Sequence, residues 1–173
     1  RAMLINKYCH CQCKAYGGLV LNWPVGGLNP YAVYEAVRAG AKIIWMPTRD
    51  ARNSLNFGNM DGDFFNRPGI SILDENGRIK NVVYDIMDII KERGGCLATG
   101  HISPEESIIL CKEGRARGVP MILTHPEFQR TKISGEIQKE LAEQGVFIEK
   151  NWLNLVTGSV TAEEMAANIR SAG

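Results

Sequence analysis

From Tyr16 onward, the sequence alternates short apolar runs with longer segments of helical pattern. The apolar runs cover residues 18–22, 42–46, 96–99, 119–124 and 146–149. They are almost continuously apolar, as in Ile43-Ile44-Trp45-Met46, which is typical of parallel strands that are covered on both faces. This alternation constrains the chain to parallel βα repeats, so the predicted fold class is α/β.

Capping signals mark where the predicted helices begin and end. Helix starts are indicated at Asn29-Pro30, at Ser103-Pro104-Glu105-Glu106 and at Thr161-Ala162-Glu163-Glu164, the last two of which match the capping-box pattern. Helix ends are indicated by Gly40, Gly94, Gly118 and Gly145. Each glycine stands shortly before a predicted strand, so the chain is expected to return directly into the sheet.

The composition fits a single domain over residues 1–173 and restricts the partners. Lys and Arg number 20 against 19 Asp and Glu, so no nucleic-acid partner is expected. No apolar run approaches the ~20 residues that a bilayer span needs, so no membrane partner is expected. Five Cys, an odd number, argue against a disulfide framework and predict a cytoplasmic location.

One connection between predicted strands is much longer than the others. The strand starts at Lys42 and Cys96 are 54 residues apart, whereas the other strand starts are 23 to 27 apart. The gap contains an irregular stretch, residues 48–69, and then a hairpin signal at Glu75-Asn76-Gly77. An insertion after a strand is a usual place for a mobile lid over a site, and a decorative loop is an equally good interpretation.

Two of the three histidines follow neighbouring strands at equivalent positions. His101 comes after the run at 96–99 and His125 after the run at 119–124, 24 residues later. Parallel α/β proteins place their ligands at the carboxyl ends of strands, where imidazole can bind a metal or transfer a proton. We therefore expect the two imidazoles to lie within ~10 Å of each other in one site.

Two carboxylates belong to the same region of the sequence. Glu149 ends the next predicted strand, where it could be a base, a partner of a histidine or a salt-bridged surface group. Glu127 could orient His125 or be the first-turn acid of a helix. The candidate catalytic residues are His125 and Glu149, and the candidate metal ligands are His101 and His125.

Three further features have both a functional and a plain structural interpretation. Cys9-His10-Cys11-Gln12-Cys13 has the composition of a metal site, but its alternating spacing favours a buried or accidental thiol cluster. Gly26-Gly27 could hold a phosphate, although a tight βα turn fits better. Trp23, Trp45 and Trp152 stand at or just past strand ends, where they could wall a substrate pocket or simply pack.

Five motifs in one order carry a resemblance to a known family. They are Gly17-Gly18-Leu19-Val20-Leu21-Asn22, Val25-Gly26-Gly27-Leu28-Asn29-Pro30, Trp45-Met46-Pro47-Thr48, the segment from Leu97 to Glu106, and Leu123-Thr124-His125-Pro126-Glu127-Phe128. With these motifs the chain resembles an uncharacterised family of the amidohydrolase-like superfamily of metal-dependent hydrolases, over Tyr16 to about Val160. The resemblance implies a (β/α)8 TIM-type barrel, of which this chain would be an internal portion, about strands three to seven.

The resemblance also implies a cofactor and its ligands. If residues 18–22 form the third barrel strand, His101 and His125 fall on the fifth and sixth, where the superfamily places metal-binding histidines. The implied cofactor is a divalent metal, with zinc as the expected ion. The HxH pair of the first strand and the Asp of the eighth have no counterpart here, and Met46-Pro47-Thr48 supplies no bridging ligand. We therefore expect residues 1–173 alone to bind a catalytic metal weakly or not at all.

Three functions remain as alternatives. The leading one is a metal-dependent hydrolase that acts on an amide-like C–N or ester bond of a small-molecule substrate through a metal-activated water. The second is a non-catalytic, barrel-derived protein that binds a small molecule or another subunit. The third takes the five strands as a flavodoxin-like open sheet that uses Gly26-Gly27 for a phosphate. An incomplete barrel would expose two sheet edges, which predicts a homo-oligomer or further chain segments that cover them.

Overall fold

The structure is a computed structural model, and it describes residues 2–9, 12–58, 62 and 65–173. Its sheet has five strands: β1 (Gly17–Val20), β2 (Ala41–Trp45), β3 (Cys96–Ala98), β4 (Met121–Leu123) and β5 (Phe147–Ile148). All four strand pairs are parallel, in the order β1-β2-β3-β4-β5. The α/β class and the five predicted strands are confirmed.

Eight α-helices accompany the strands in the described residues. They are α1 (Ala2–Tyr8), α2 (Pro30–Arg38), α3 (Arg52–Phe57), α4 (Asn81–Arg93), α5 (Pro104–Ala116), α6 (Gly135–Glu143), α7 (Trp152–Val156) and α8 (Ala162–Ala172). Two short 3₁₀ turns, Trp23–Val25 and Gln129–Thr131, follow β1 and β4. None of the helices within the described residues combines the length and apolar composition that a bilayer crossing requires.

The predicted helix caps are present as local hydrogen bonds. The Asn29 side chain accepts from two backbone N–H groups at the start of α2, and Ser103 and Glu106 form the reciprocal capping box of α5. Thr161 caps α8 through the N–H of Glu164. The four predicted glycines (Gly40, Gly94, Gly118 and Gly145) have positive φ angles of 76–95°. These caps fix where the chain enters and leaves each helix.

Strand order determines on which side of the sheet the helices lie. Parallel βα connections are almost always right-handed, so an uninterrupted sequential order places every crossover helix on the same face. A flavodoxin-like sheet instead reverses its strand order at a switch point and has helices on both faces. The flavodoxin-like interpretation is therefore wrong, and the observed order is compatible with part of a barrel.

The two faces of the sheet differ in burial. Ile44, Leu97 and Met121 point toward the helices and belong to a fully buried apolar core. Ile43 and Ile122, one residue away in their strands, point to the opposite face and are only partly buried. This second face extends to the carboxyl edge of the sheet, where the strands end.

The insertion after β2 lies against this carboxyl edge. Ala51 and Ile70 form an isolated parallel bridge, and Leu73 and Ile79 close the predicted hairpin through an antiparallel bridge. The expectation of an irregular stretch over residues 48–69 is wrong in part, because α3 forms within it. Residues 59–61, 63 and 64 of this insertion lie outside the described residues. The mobility expected of the insertion stays a prediction.

Candidate functional site at the carboxyl edge

Two threonines join the ends of β3 and β4 just below the histidines. The Thr99 hydroxyl accepts a hydrogen bond from the backbone N–H of Thr124 at 3.0 Å, and the Thr124 hydroxyl accepts one from Gly100 at 3.2 Å. Both threonines are buried, so these bonds form away from water. The pair holds the two histidine-bearing loops at a fixed separation.

The backbone around each histidine is conformationally unusual. Gly100 has a φ of +61°, and a Cβ there would approach the carbonyl oxygen of Pro47 to 2.8 Å. His101 then donates its backbone N–H to that same carbonyl oxygen at 2.9 Å. His125 itself has a φ of +44°, which is uncommon for a residue other than glycine. Such backbone strain clusters at functional sites, and here it turns both side chains toward each other.

The two imidazoles form a close pair. Their ring centroids are 5.9 Å apart with an interplanar angle of 51°. The predicted proximity within ~10 Å is therefore confirmed, and His101 and His125 share one site.

His101 lies in an apolar and electropositive environment. Its ring is 5.9 Å from that of Phe128, and its Nδ1 is buried with no hydrogen-bond partner. Burial, together with the neighbouring His125 and Arg130, lowers the pKa of His101 to about 4. His101 is therefore a neutral imidazole at physiological pH.

Arg130 provides the positive charge behind His101. Its guanidinium carbon lies 4.9 Å from the ring centre of Phe128 and 5.5 Å from that of Phe57. The Nε and Nη1 atoms are buried without hydrogen-bond partners, and desolvation lowers the pKa of Arg130. Two aromatic faces therefore replace the water that would normally surround this cation.

His125 has two competing partners at the same ring nitrogen. Its Nδ1 is 3.4 Å from the Glu149 carboxylate and 3.4 Å from the Asn151 amide nitrogen. The amide nitrogen of Asn151 can only donate, so it favours the tautomer whose Nδ1 carries no proton, whereas the Glu149 carboxylate accepts and favours a proton there. Once the ring gains a second proton, only the contact with Glu149 remains favourable.

A small cavity of about 260 Å³ opens directly beside the histidine pair. Its lining includes Val20, Trp45, Thr48, His101, His125 and Glu149. A second cavity, of about 130 Å³, lies between the histidines, Phe128 and the start of α7. Both histidines therefore line small open cavities on two sides.

Asn53 of α3 connects the insertion to both histidine loops. Its amide nitrogen donates to the carbonyl oxygen of Arg130 at 2.7 Å and lies 3.2 Å from that of His101. At the other end of the edge, Asn22 accepts from the backbone of Thr48 and Asp50 and so joins β1 to β2. The insertion is thus held over the site by polar contacts.

Glu127 does not take the role that the sequence suggested. Its carboxylate accepts hydrogen bonds from Lys150 and from Asn168, and Lys150 also donates to Gln138 at 2.6 Å. This buried network packs α8 against the end of β5 and lies away from the imidazole of His125. Glu127 neither orients His125 nor begins a helix, because its hydrogen bonds go to that packing interface.

The described residues do not form a complete metal site. No group of three or more His, Cys, Asp or Glu within them could hold a metal ion. His101 and His125 offer two imidazole donors, and the Arg130 charge beside them opposes a cation. A catalytic zinc site usually needs three protein ligands, so this pair does not fit one.

The other sequence candidates have structural explanations where they are described. Cys9 and Cys13 are exposed rather than buried, and His10 and Cys11 lie outside the described residues. Gly26 and Gly27 donate their backbone N–H groups to the carbonyl oxygens of Trp23 and Asn22. Those donors are used within a tight turn, so they do not form a phosphate cradle.

The three tryptophans behave differently from one another. Trp45 lines the larger cavity, whereas Trp152 is 75% exposed. Trp23 donates its indole N–H to Pro68 and lies under the Arg67 guanidinium. Of the two interpretations that the sequence left open, Trp45 therefore lies at a cavity wall.

Sequence reasoning missed Arg130, Asn53 and the two threonines. The threonines had a usable signal, since Thr99 and Thr124 precede the two histidines at corresponding strand ends. Arg130 and Asn53 had none, because their roles arise from contacts between segments 77 residues apart.

A family model described as a family of unknown function (DUF6282) matches residues 1–149. No curated protein and no solved structure matches the chain. The matched region contains all five strands, both histidines of the pair and Glu149. The resemblance to amidohydrolase-like proteins stays a prediction.

Proposed function

This chain belongs to the DUF6282 family of unknown function, and we propose that it is a hydrolase that cleaves an amide-like C–N bond or an ester bond at the carboxyl edge of its sheet. The observation that carries the proposal is the pair of neighbouring imidazoles, 5.9 Å apart, beside a small open cavity. Hydrolysis of a carbonyl compound needs a base for the attacking water and a donor for the carbonyl oxygen. The two histidines have environments that suit these different roles.

His125 is the proposed general base. It takes a proton from water as the water oxygen bonds to the carbonyl carbon, and Glu149 stabilises the resulting imidazolium through Nδ1. The same proton then passes to the leaving nitrogen or oxygen as the scissile bond breaks. The 3.4 Å contact between His125 and Glu149 is long, as is common for catalytic hydrogen bonds before substrate binds.

His101 is the proposed donor to the carbonyl oxygen. A neutral imidazole keeps one N–H, and its lowered pKa prevents it from competing with His125 for the proton. The desolvation of His101 strengthens a hydrogen bond to the developing negative charge.

We also propose that the sheet is part of a (β/α)8 barrel, with β1 as its third strand. The sequential parallel order, the helices on one face and the half-buried opposite face support this arrangement. A barrel leaves no free strand edges, so the outer edges of β1 and β5 would be covered by other segments or by a second copy of the chain. Analytical ultracentrifugation distinguishes a homo-oligomer from a monomer.

The test is the rate of phenyl acetate hydrolysis by the wild type and a series of variants. We expect His125→Gln to reduce kcat/KM by roughly 100-fold or more, because general-base catalysis typically contributes 10²–10⁴-fold. Glu149→Gln should reduce it less. Glu143→Gln is the matched control for charge and should leave the rate unchanged, because this side chain is exposed and forms an ion pair with Lys139 on α6. Equal rates for the wild type and His125→Gln would contradict the proposal.

A non-catalytic small-molecule binding protein is the second candidate. It is favoured by one specific observation, which is that the Asn151 amide nitrogen lies 3.4 Å from the same His125 Nδ1 that the catalytic proposal assigns to Glu149. In that case the same cavity would bind a ligand, and no variant in the series would change a hydrolysis rate above background.

A further inference from the structure

The wall of the larger cavity is fixed by a glycine and a tryptophan on neighbouring strands. A Cβ at Gly18 would overlap Cζ3 of Trp45 and approach Cη2 to 3.2 Å, so the indole rests on the bare backbone of β1. Trp45 is only partly buried, and it lines the cavity next to the histidine pair. The cavity therefore contains a large aromatic side chain whose position is set by the strand beneath it.

The charges around the cavity are unbalanced. Apart from the two histidines, Glu149 is the one ionisable residue among the described residues that line it. Lys150, which follows Glu149 in the chain, directs its ammonium group into the buried pair with Glu127. A ligand carboxylate or phosphate would therefore lie beside a carboxylate, while the Arg130 guanidinium is held over Phe57 and Phe128 and is not part of the cavity lining.

The volume of the cavity indicates how large a group of the ligand it can hold. Its volume is about 260 Å³, whereas an engineered apolar cavity of roughly 150 Å³ is sufficient to bind benzene. The space is suited to a single ring with a small substituent. The hydroxyl of Thr48 and the imidazoles of His101 and His125 could then meet a polar group on that ring.

We propose that the cavity recognises an uncharged, monocyclic aromatic amide or ester, with its ring against Trp45 and its carbonyl group toward the histidine pair. This inference rests on the proposed function, which it deepens by naming the substrate class. Contact with Trp45 provides affinity for the aromatic ring. The negative charge of Glu149 excludes a ligand that has a carboxylate in place of the amide or ester.

Three probes separate these contributions. Benzamide is the uncharged aromatic amide, benzoate has the same ring with a negative charge, and cyclohexanecarboxamide has the same amide without an aromatic face. Ligand-observed NMR measures binding without requiring turnover. We expect the wild type to bind benzamide more tightly than either of the other two compounds.

Variants assign the selectivity to individual residues. Trp45→Leu should weaken benzamide binding by roughly threefold to tenfold, which is the range expected for a lost aromatic pair, while Trp45→Phe should keep most of the affinity. Trp45→Phe also serves as the control for folding. Glu149→Gln should bring benzoate binding close to that of benzamide, and Glu143→Gln should not.

Two outcomes would overturn the inference: equal binding of all three probes by the wild type, or unchanged benzamide binding in Trp45→Leu. Selective benzamide binding by a protein that fails to hydrolyse phenyl acetate would support the inference and contradict the proposed function. Hydrolysis of phenyl acetate without selective binding would contradict the inference alone.

Discussion

At the scale of single residues, the neutral state of His101 has a consequence for stability. Its pKa is lowered to about 4 in the folded protein, whereas an exposed histidine in the unfolded chain has a pKa near 6.5. Between these values the unfolded state binds more protons than the folded state. Proton uptake at this histidine therefore favours the unfolded state as the pH falls from 6.5 toward 4, so the free energy of unfolding is highest above pH 6.5 and decreases over that range.

We expect this histidine to remove about 3 kcal/mol from the free energy of unfolding between pH 7 and pH 4, since each unit of pKa shift corresponds to about 1.4 kcal/mol. Urea denaturation of the wild type and of His101→Gln at several pH values measures it. Carboxylates titrate in both proteins, so the difference between the two curves isolates His101. Parallel curves would contradict the lowered pKa.

A substitution at Gly100 tests how closely the backbone is packed at the site. Gly100→Ala combines a positive φ with an overlap against the carbonyl groups of Met46 and Pro47. We expect it to cost about 3 kcal/mol, against about 1 kcal/mol for Gly77→Ala. Gly77 is the matched control because its φ is +73° and a Cβ there would meet nothing within 4 Å. Equal costs in thermal or urea denaturation would show that the space around Gly100 is open.

The sequence predicted some of these residues and not others, for a physical reason. His101 and His125 could be foreseen, because a residue that follows a parallel strand has a known place at the carboxyl edge. The burial of Arg130 between Phe57 and Phe128 could not, because it depends on how a 3₁₀ turn packs against a helix distant in the sequence.

At the scale of secondary-structure elements, the threonine pair determines how β3 and β4 end. Thr124→Val removes the hydroxyl that accepts from Gly100 and leaves a buried N–H without a partner. We expect a loss of roughly 1–3 kcal/mol in the free energy of unfolding, with a smaller loss in Thr124→Ser, which keeps the hydroxyl. Urea denaturation distinguishes the two, and a fully stable Thr124→Val would contradict the role of this hydrogen bond.

The elements also show where sequence patterns are informative. Apolar runs such as Met121-Ile122-Leu123 predicted the strands, because buried strands need little beyond continuous hydrophobicity. The helix α3 was missed, because Arg52–Phe57 has few apolar residues and no side-chain cap. It is held instead by the contacts of Asn53 and by buried Ser54.

At the scale of the whole molecule, the sequential strand order places the loops after β3 and β4, which contain the two histidines, at the same carboxyl edge of the sheet. The register pairs Ala98 with Ile122, so the loops that follow β3 and β4 leave the sheet at the same level. The order of elements and the incomplete ligand set could both be predicted from the sequence, whereas the Arg130 charge beside the histidines became clear only from side-chain positions.

That incomplete set predicts weak zinc binding by residues 1–173. We expect calorimetric titration at neutral pH to detect no stoichiometric sub-micromolar binding that depends on His101 and His125, because two imidazoles beside Arg130 lack a third ligand. The His101→Ala, His125→Ala double variant identifies any contribution from the Cys9 to Cys13 segment. Tight stoichiometric binding that disappears in the double variant would show that the two histidines belong to a complete metal site.

The central claim is that His101 and His125 act within one site, and NMR titration of their imidazole resonances tests it most directly. In the wild type we expect His101 to titrate with a pKa of about 4. In His125→Gln its pKa should rise, because the neighbouring imidazole contributes to the lowering, whereas Glu143→Gln should leave it unchanged. A pKa near 6.5 for His101 in all three proteins would contradict the site.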